Sequence, residues 1–192
     1  MRKITALSLA ALGFYPCCSA QQFGIGMSLK QYESTLYLPV KTKGGLLIEG
    51  ALTYSHSSQS SSQTDSLGNA YNNTYSSSSL IPGVGIFWLM PMTENTHAYL
   101  GPRLWYISQK QSNSGYYGGP SGVSTENKTH GYAAAPILGF EYFPLKNISI
   151  GGEVGYSFTK QSGSSTSIPV GSSTSDYTSN GTTSSVMVRY YF

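Results

Sequence analysis

Past its first twenty residues this chain has no cysteine, since Cys17 and Cys18 are the only two it contains. A disulfide framework is therefore excluded for the remainder, even in an oxidising compartment. No unbroken apolar run of about 18 residues follows Ala20, which rules out a transmembrane helix. Apolar residues at the helical spacing of 3.6 are missing throughout. Charge is also scarce, at 10% of residues, and Lys and Arg nowhere form a run, which argues against a nucleic-acid partner.

The first twenty residues read as an export signal. Arg2 and Lys3 supply the positive start, Ile4 to Phe14 the apolar stretch, and Cys18-Ser19-Ala20 a small-residue cleavage site. Tyr15-Pro16 stand before the cysteines where a lipid-attachment site would want small or aliphatic residues, so lipidation is disfavoured. The organisation expected is a signal at 1–20 followed by one domain at 21–192. Without Arg2 and Lys3, 9 basic residues face 8 acidic ones, so the basic pI belongs mostly to the signal.

Gln22 to Phe192 alternates apolar or aromatic segments with stretches of Ser, Thr, Asn and Gly, an all-β pattern. Strands are expected near 22–30, 34–40, 46–59, 75–90, 97–110, 129–143, 148–161 and 182–192. Eight is an even count, as in single-chain bacterial barrels. Lys41–Gly45, Pro91–Thr96 and Pro144–Asn147 read as short turns, and Gln31–Glu33 as a short hairpin tip. Ser60–Thr74, Gln111–Lys128 and Ser162–Gly181 read as long polar loops. Short turns on one side and long loops on the other fit a barrel with both termini in the periplasm.

Side chains alternate between the faces of a strand, and the apolar ones keep one parity. Leu46, Ile48, Leu52 and Tyr54 share a face, as do Leu80, Val84, Ile86, Trp88 and Met90, and likewise Ile148, Ile150, Val154, Tyr156 and Phe158. Those faces could meet lipid. Pro82 and Pro102 fall inside strands and should each mark a bulge or a break in pairing. Aromatic girdles are expected from Trp88, Tyr99, Tyr142, Phe143, Tyr190 and Phe192 at the short-turn rim, and from Tyr54, Tyr106, Tyr132 and Tyr156 at the other.

The final segment Val186-Met187-Val188-Arg189-Tyr190-Tyr191-Phe192 resembles the closing strand of outer-membrane proteins, with Val186, Val188, Tyr190 and Phe192 matching its alternate apolar positions and terminal aromatic. Met187 stands where many members have Gly. Tyr99-Leu100-Gly101-Pro102-Arg103, Gly139-Phe140-Glu141-Tyr142-Phe143 and Ile150-Gly151-Gly152-Glu153-Val154-Gly155-Tyr156 are similar to strand motifs of the same proteins. Together these segments resemble the small eight-stranded outer-membrane barrels, the group that includes OmpX, OmpW, opacity-type proteins and the OmpA barrel. The resemblance implies an eight-stranded antiparallel up-and-down transmembrane β-barrel in the bacterial outer membrane. It also implies that the terminal motif is read by the barrel-assembly machinery, and that outer-membrane lipid and lipopolysaccharide are partners.

The parity that turns apolar groups outward turns Lys30, Glu49, Arg103, Glu141, Glu153 and Arg189 inward. An eight-stranded lumen is just filled by side chains, so these groups should pair as a network that plugs it. The functional counterpart is a polar conduit, a narrow channel. His56-Ser57-Ser58 has the His-x-Ser spacing of lipid A deacylases, but both His56 and Ser58 fall on the lipid-facing parity and no acidic residue is placed beside them. His97 and His130 lie at opposite ends of the expected barrel. No spacing resembles a metal site, and no cofactor is expected. Gly24-x-Gly26, Gly83-x-Gly85 and Gly151-Gly152 read as strand glycines rather than phosphate loops. Tyr71, Tyr116, Tyr117 and Tyr177 in the long loops are candidate contacts for a surface ligand. The expectation is a non-enzymatic outer-membrane barrel with a structural or surface role, ahead of a narrow channel and a lipid-modifying enzyme. A soluble periplasmic barrel would require the opposite parity, apolar inside and charged outside.

Overall fold

The computed structural model of the chain describes residues 20–29, 34–64, 70–117, 123–168 and 171–192. The expected export signal, save Ala20, lies outside them, as do Lys30 and the Gln31–Glu33 tip. Eight strands follow one another: β1 (Ala20–Leu29), β2 (Ser34–Thr42), β3 (Leu46–Thr64), β4 (Ala70–Thr93), β5 (Thr96–Tyr117), β6 (Val123–Leu145), β7 (Ile148–Ile168) and β8 (Gly171–Tyr191). Each pairs antiparallel with its sequence neighbours, and β1 pairs with β8 from Gly24↔Tyr191 to Leu29↔Val186, closing an up-and-down barrel.

Alternation decides what each face carries. Val186, Val188, Tyr190 and Phe192 are exposed on the outside while Met187, Arg189 and Tyr191 are buried within. The same division puts Ile25, Leu38, Ile48, Val84, Leu104, Leu138 and Ile150 on the exterior. Inside, Leu47, Phe87, Tyr99, Ala135 and Ile137 form one apolar cluster and Tyr37, Ala51 and Met187 another. Between them run charged side chains. The barrel is thus apolar outside and holds its charged side chains within, the reverse of the arrangement a water-soluble barrel requires.

Two of the expected girdle residues belong to the lumen. Tyr99 is fully buried, and Phe143 packs its ring 5.8 Å from that of Tyr191. Both share the odd parity of Arg103 and Glu141, so a position near a strand end could not bring them outside. Trp88, Tyr142, Tyr190 and Phe192 do ring the short-turn end, and Tyr54, Tyr106, Tyr132 and Tyr156 are exposed towards the other.

The mid-strand prolines Pro82, Pro102 and Pro136 interrupt pairing without shifting it, whereas Pro91 and Pro144, near strand ends, lie at register shifts. The β4–β5 ladder lapses between Leu80↔Ser108 and Gly83↔Trp105, beside Pro82, and again between Gly85↔Arg103 and Trp88↔Leu100, beside Pro102, keeping the same register across both gaps. Pro136 does the same to the β6–β7 ladder between Ala134↔Phe158 and Ile137↔Gly155. Pro102 and Pro136 face each other across β5–β6, so each missing N–H falls on the opposite edge of its strand. Of the two outcomes expected at Pro82 and Pro102, the break in pairing occurs and the bulge does not.

The strands run far past their expected ends. Residues 60–64, 70–74, 111–117, 123–128, 162–168 and 171–181, expected as loops, are strand, and the hairpins extend to Thr64↔Ala70, Gly115↔Val123 and Ser167↔Gly171. Strands of 19 to 24 residues greatly exceed the 9 to 11 that cross a bilayer. Backbone ladders need no apolar side chains, and cross-strand hydroxyl pairs add to them. Ser76 and Ser112 meet at 2.7 Å and Thr125 and Ser167 at 3.0 Å. Since β1–β2 pairing ends at Leu29↔Ser34, the barrel continues beyond that level as an open sheet from β3 to β8.

Because residues 55–64 and 70–79 of the β3–β4 hairpin pair in unbroken register, replacing residues 58–76 by Asn-Gly should leave a two-residue turn on an intact barrel. Denaturant unfolding of the shortened chain is expected within about 0.5 kcal/mol of the parent. Loss of folding would show that the tall sheet supports the barrel.

Candidate functional site

Among the described residues, six strands each send one charged side chain into the lumen: Lys41 (β2), Glu49 (β3), Arg103 (β5), Glu141 (β6), Glu153 (β7) and Arg189 (β8). They join into one chain of strictly alternating sign. Lys41 Nζ lies 2.8 Å from Glu141 Oε2, and Glu141 Oε1 lies 2.7 Å from Arg189 Nη1. Arg189 Nη2 reaches Glu49 Oε2 at 2.5 Å, Glu49 Oε1 meets Arg103 Nη2 at 2.5 Å, and Arg103 Nη1 closes on Glu153. Three cations and three anions sum to zero. Charges this deeply desolvated persist only when paired and hydrogen-bonded.

Neutral side chains occupy several of the remaining bonding positions, while Nε of Arg103 and Nε of Arg189 are buried with no hydrogen-bond partner. The Tyr191 hydroxyl donates to Glu141 Oε1 at 2.6 Å, and the Ser185 hydroxyl donates to Glu153 at 3.1 Å. Ser149 donates to Glu141 from 3.4 Å. Tyr99 OH accepts from Arg189 Nη2 at 3.5 Å and donates to Glu153 Oε2 at 3.4 Å. Aromatic rings flank the cations: Tyr37 and Phe87 lie 5.3 and 5.1 Å from the Arg103 guanidinium carbon. Phe143 and Tyr191 lie 4.3 and 4.0 Å from Lys41 Nζ. Such contacts favour a desolvated cation without adding countercharge.

Small residues make the room. A Cβ at Gly26 would stand 2.5 Å from Arg189 Cγ, and one at Gly139 would strike the Tyr99 ring. Glycine at those inward positions lets long side chains lie across a narrow lumen.

Of the residues singled out in the sequence, the structure brings Glu49, Arg103, Glu141, Glu153 and Arg189 together. Lys41 reads as a turn residue in the sequence, yet β2 runs on to Thr42 and its odd parity, shared with Thr35, Tyr37 and Pro39, carries Lys41 inward. That parity is the signal that could have found it. His56 and Ser58 are exposed, pairing across β4 with Ser78 and Ser76, whose β5 partners are Lys110 and Ser112; no acid stands beside them. Gly83-x-Gly85 and Gly151-Gly152 lie within strands β4 and β7. Tyr177 donates its hydroxyl to Gln161 on the neighbouring strand. Among the described residues no group of three or more His, Cys, Asp or Glu is placed to hold a metal ion.

Glu49 is the one carboxylate shared by both arginines. Its replacement, Glu49→Leu, would leave two buried guanidiniums short of countercharge and should cost about 3 to 5 kcal/mol. Lys41→Met should cost clearly less, because Glu141 retains Arg189 and Tyr191. Urea unfolding of both variants in lipid vesicles checks the order, and equal losses would show that the chain is not energetically connected through Glu49.

The sequence matches no protein-family model and no curated protein. Similarity lies in the fold. A major outer membrane protein from Thermus thermophilus superposes with a TM-score of 0.55 at 10% identity, covering 89% of this chain and 98% of that one. CarO2 of Acinetobacter baumannii aligns with a TM-score of 0.45 at 16% identity, over 89% of this chain and 98% of its own. Closure, strand count, apolar exterior and the first of these superpositions agree: the chain has the fold of an eight-stranded outer-membrane β-barrel.

Proposed function

We propose that this chain is an integral, non-enzymatic protein of the bacterial outer membrane, with a structural or surface-interacting role and a lumen closed by its ionic chain. The observation that carries the reading is the division of faces. A continuous band of Ile, Leu, Val, Phe and Met covers the outside, while Lys41, Glu49, Arg103, Glu141, Glu153 and Arg189 are held inside. Water would strand that apolar exterior, whereas lipid matches it and the closed ladder satisfies the backbone. An export signal at 1–20 fits the destination. The exposed row Val186, Val188, Tyr190 and Phe192 is presented for recognition by the assembly machinery. The tall Ser/Thr sheet would stand outside the cell as the surface-facing part, carrying any ligand contacts there.

A narrow channel is the second reading, favoured by one feature. A cavity of about 170 Å³ enters the lumen between Thr35, Thr53, Trp105 and Thr183 and descends to Arg103 and Glu153. Below that floor the ionic chain and its aromatic neighbours fill the section, so the plug is preferred.

The test combines two measurements on protein taken from isolated outer membranes. Unboiled protein should migrate faster in a denaturing gel than boiled protein, as a closed barrel does. In planar bilayers it should give no steady ion steps, because the paired charges leave no continuous water path. Stable conductance would favour the channel; recovery as soluble periplasmic protein without a mobility shift would overturn the membrane assignment.

A further inference from the structure

The described basic residues fall into three sets. Lys41, Arg103 and Arg189 lie in the lumen, and Lys43 and Lys146 lie in the short turns. The remaining three, Lys110, Lys128 and Lys160, lie on adjacent strands β5, β6 and β7, all with the outward parity and all exposed. No Lys or Arg occupies the outward face of the long hairpins on β3, β4 or β8 among the described residues.

Register locates these lysines relative to the apolar band. Leu104, Ala134 and Phe158 are cross-strand partners in one row. Two residues further out, Tyr106, Tyr132 and Lys160 form the next outward row, with the Tyr106 and Tyr132 rings 5.3 Å apart. His130 follows, paired with Ser108 and Ser162, and beyond it Lys110 faces Lys128. Cations therefore begin at the level of the aromatic rim and continue just above it. Lys160 is beside Tyr132, which is 71% exposed.

The same place holds a groove. Ala134 presents only a methyl group between Leu104 and Phe158, and the hollow over it, about 520 Å³, is bounded above by Tyr132 and Lys160. A trough with Leu104, Ala134 and Phe158 on one side, Thr178 and Asn180 of β8 on the other and the Lys160 ammonium at its upper end matches a molecule with an acyl chain and an anionic head. Two acids stand nearby. Glu126 binds Lys110 and Lys128 at 2.7 Å each, and Asp176 lies on β8 opposite Ser162. Both ammoniums hold the Glu126 carboxyl down to about 2, so it stays charged and neutralises only one of them. Three lysines against two acids leave a positive surface, with Lys160 the cation outside the Glu126 cluster and next to the groove.

We propose that this face of β5–β7 docks one phosphorylated glycolipid of the outer leaflet, an acyl chain lying over Ala134 and a phosphate meeting Lys160 with Lys128 and Lys110 above it. The proposal rests on the outer-membrane reading, which places the long hairpins on the outer-leaflet side. Basic residues beside apolar surface recognise anionic lipid heads, and screening by salt should weaken the contact.

The experiment is native mass spectrometry of the folded full chain in detergent, titrated with diphosphorylated lipid A or with phosphatidylglycerol. The parent should retain lipid A preferentially. The combined Lys110→Gln, Lys128→Gln and Lys160→Gln variant should retain it roughly tenfold or more weakly. Ala134→Phe, which fills the groove and keeps every charge, should also lower retention, whereas Lys43→Gln with Lys146→Gln should not. Undiminished lipid A retention in the triple-lysine variant, still showing the heat-dependent gel shift, would overturn the site. Equal lysine-dependent retention of phosphatidylglycerol would overturn the glycolipid assignment. Absence of the gel shift in the parent would instead strike the membrane reading on which the site rests.

Discussion

Glu49 holds two guanidiniums at once, at 2.5 Å each, and can do so only while β3, β5 and β8 keep their register. A slip of one residue in any of them would exchange the faces, sending a buried charge into the apolar band and an aliphatic side chain into the ionic chain. The penalty for the displaced charge falls on its partners as well, because each internal member serves two neighbours. A network of this kind contributes less to net stability than its short distances suggest, since desolvation offsets much of the attraction. Its stronger effect is to separate the correct strand arrangement from the shifted ones.

The lumen must also be filled without strain. Six ionised side chains, Tyr37, Tyr99, Phe87 and Tyr191 occupy one short section, which succeeds because other strands give small residues there. Gly26 on β1 gives way to Arg189, and Gly139 on β6 gives way to Tyr99. Strict alternation of sign then leaves no charge for water to solvate at the centre. Closure of the conduit and neutrality of the network are two aspects of one packing solution.

How much of this is legible in the sequence depends on whether side chains or backbone carry the information. Strand number, order and facing follow from apolar parity, which runs unbroken through Leu46–Tyr54 and Leu80–Met90, and the same parity turns Glu49, Arg103, Glu141, Glu153 and Arg189 inward. Lys41 escapes because Lys41–Gly45 carries turn residues, and two further residues of strand are needed to reveal its facing. Nearness to strand ends puts Tyr99 and Phe143 in the girdle, although parity, the stronger rule, places them inside. Hairpin length is not legible at all. Ser- and Thr-rich segments show no alternation of hydrophobicity, and their ladders are held by backbone groups and hydroxyl pairs such as Ser76–Ser112 that any loop-like composition could supply.

Such composition has a physical consequence above the barrel. From Ser55 on β3 and from Gly171 to Ser185 on β8, the described strands are paired on one side only, since β2 and β1 no longer accompany them. Unpaired edges of that length would invite pairing between molecules if they were flat and apolar. Here the exposed residues are chiefly Ser, Thr, Asn and Gln, so an added strand would bury little apolar area while desolvating many hydroxyls. The apolar surface is confined to the band below, and the outward lysines begin where that band ends. Polarity thus changes along each hairpin at one level, set by the rows that carry Tyr106, Tyr132 and Lys160, and under the proposed outer-membrane reading this level divides the part of the sheet that lipid would stabilise from the part that must remain stable in water.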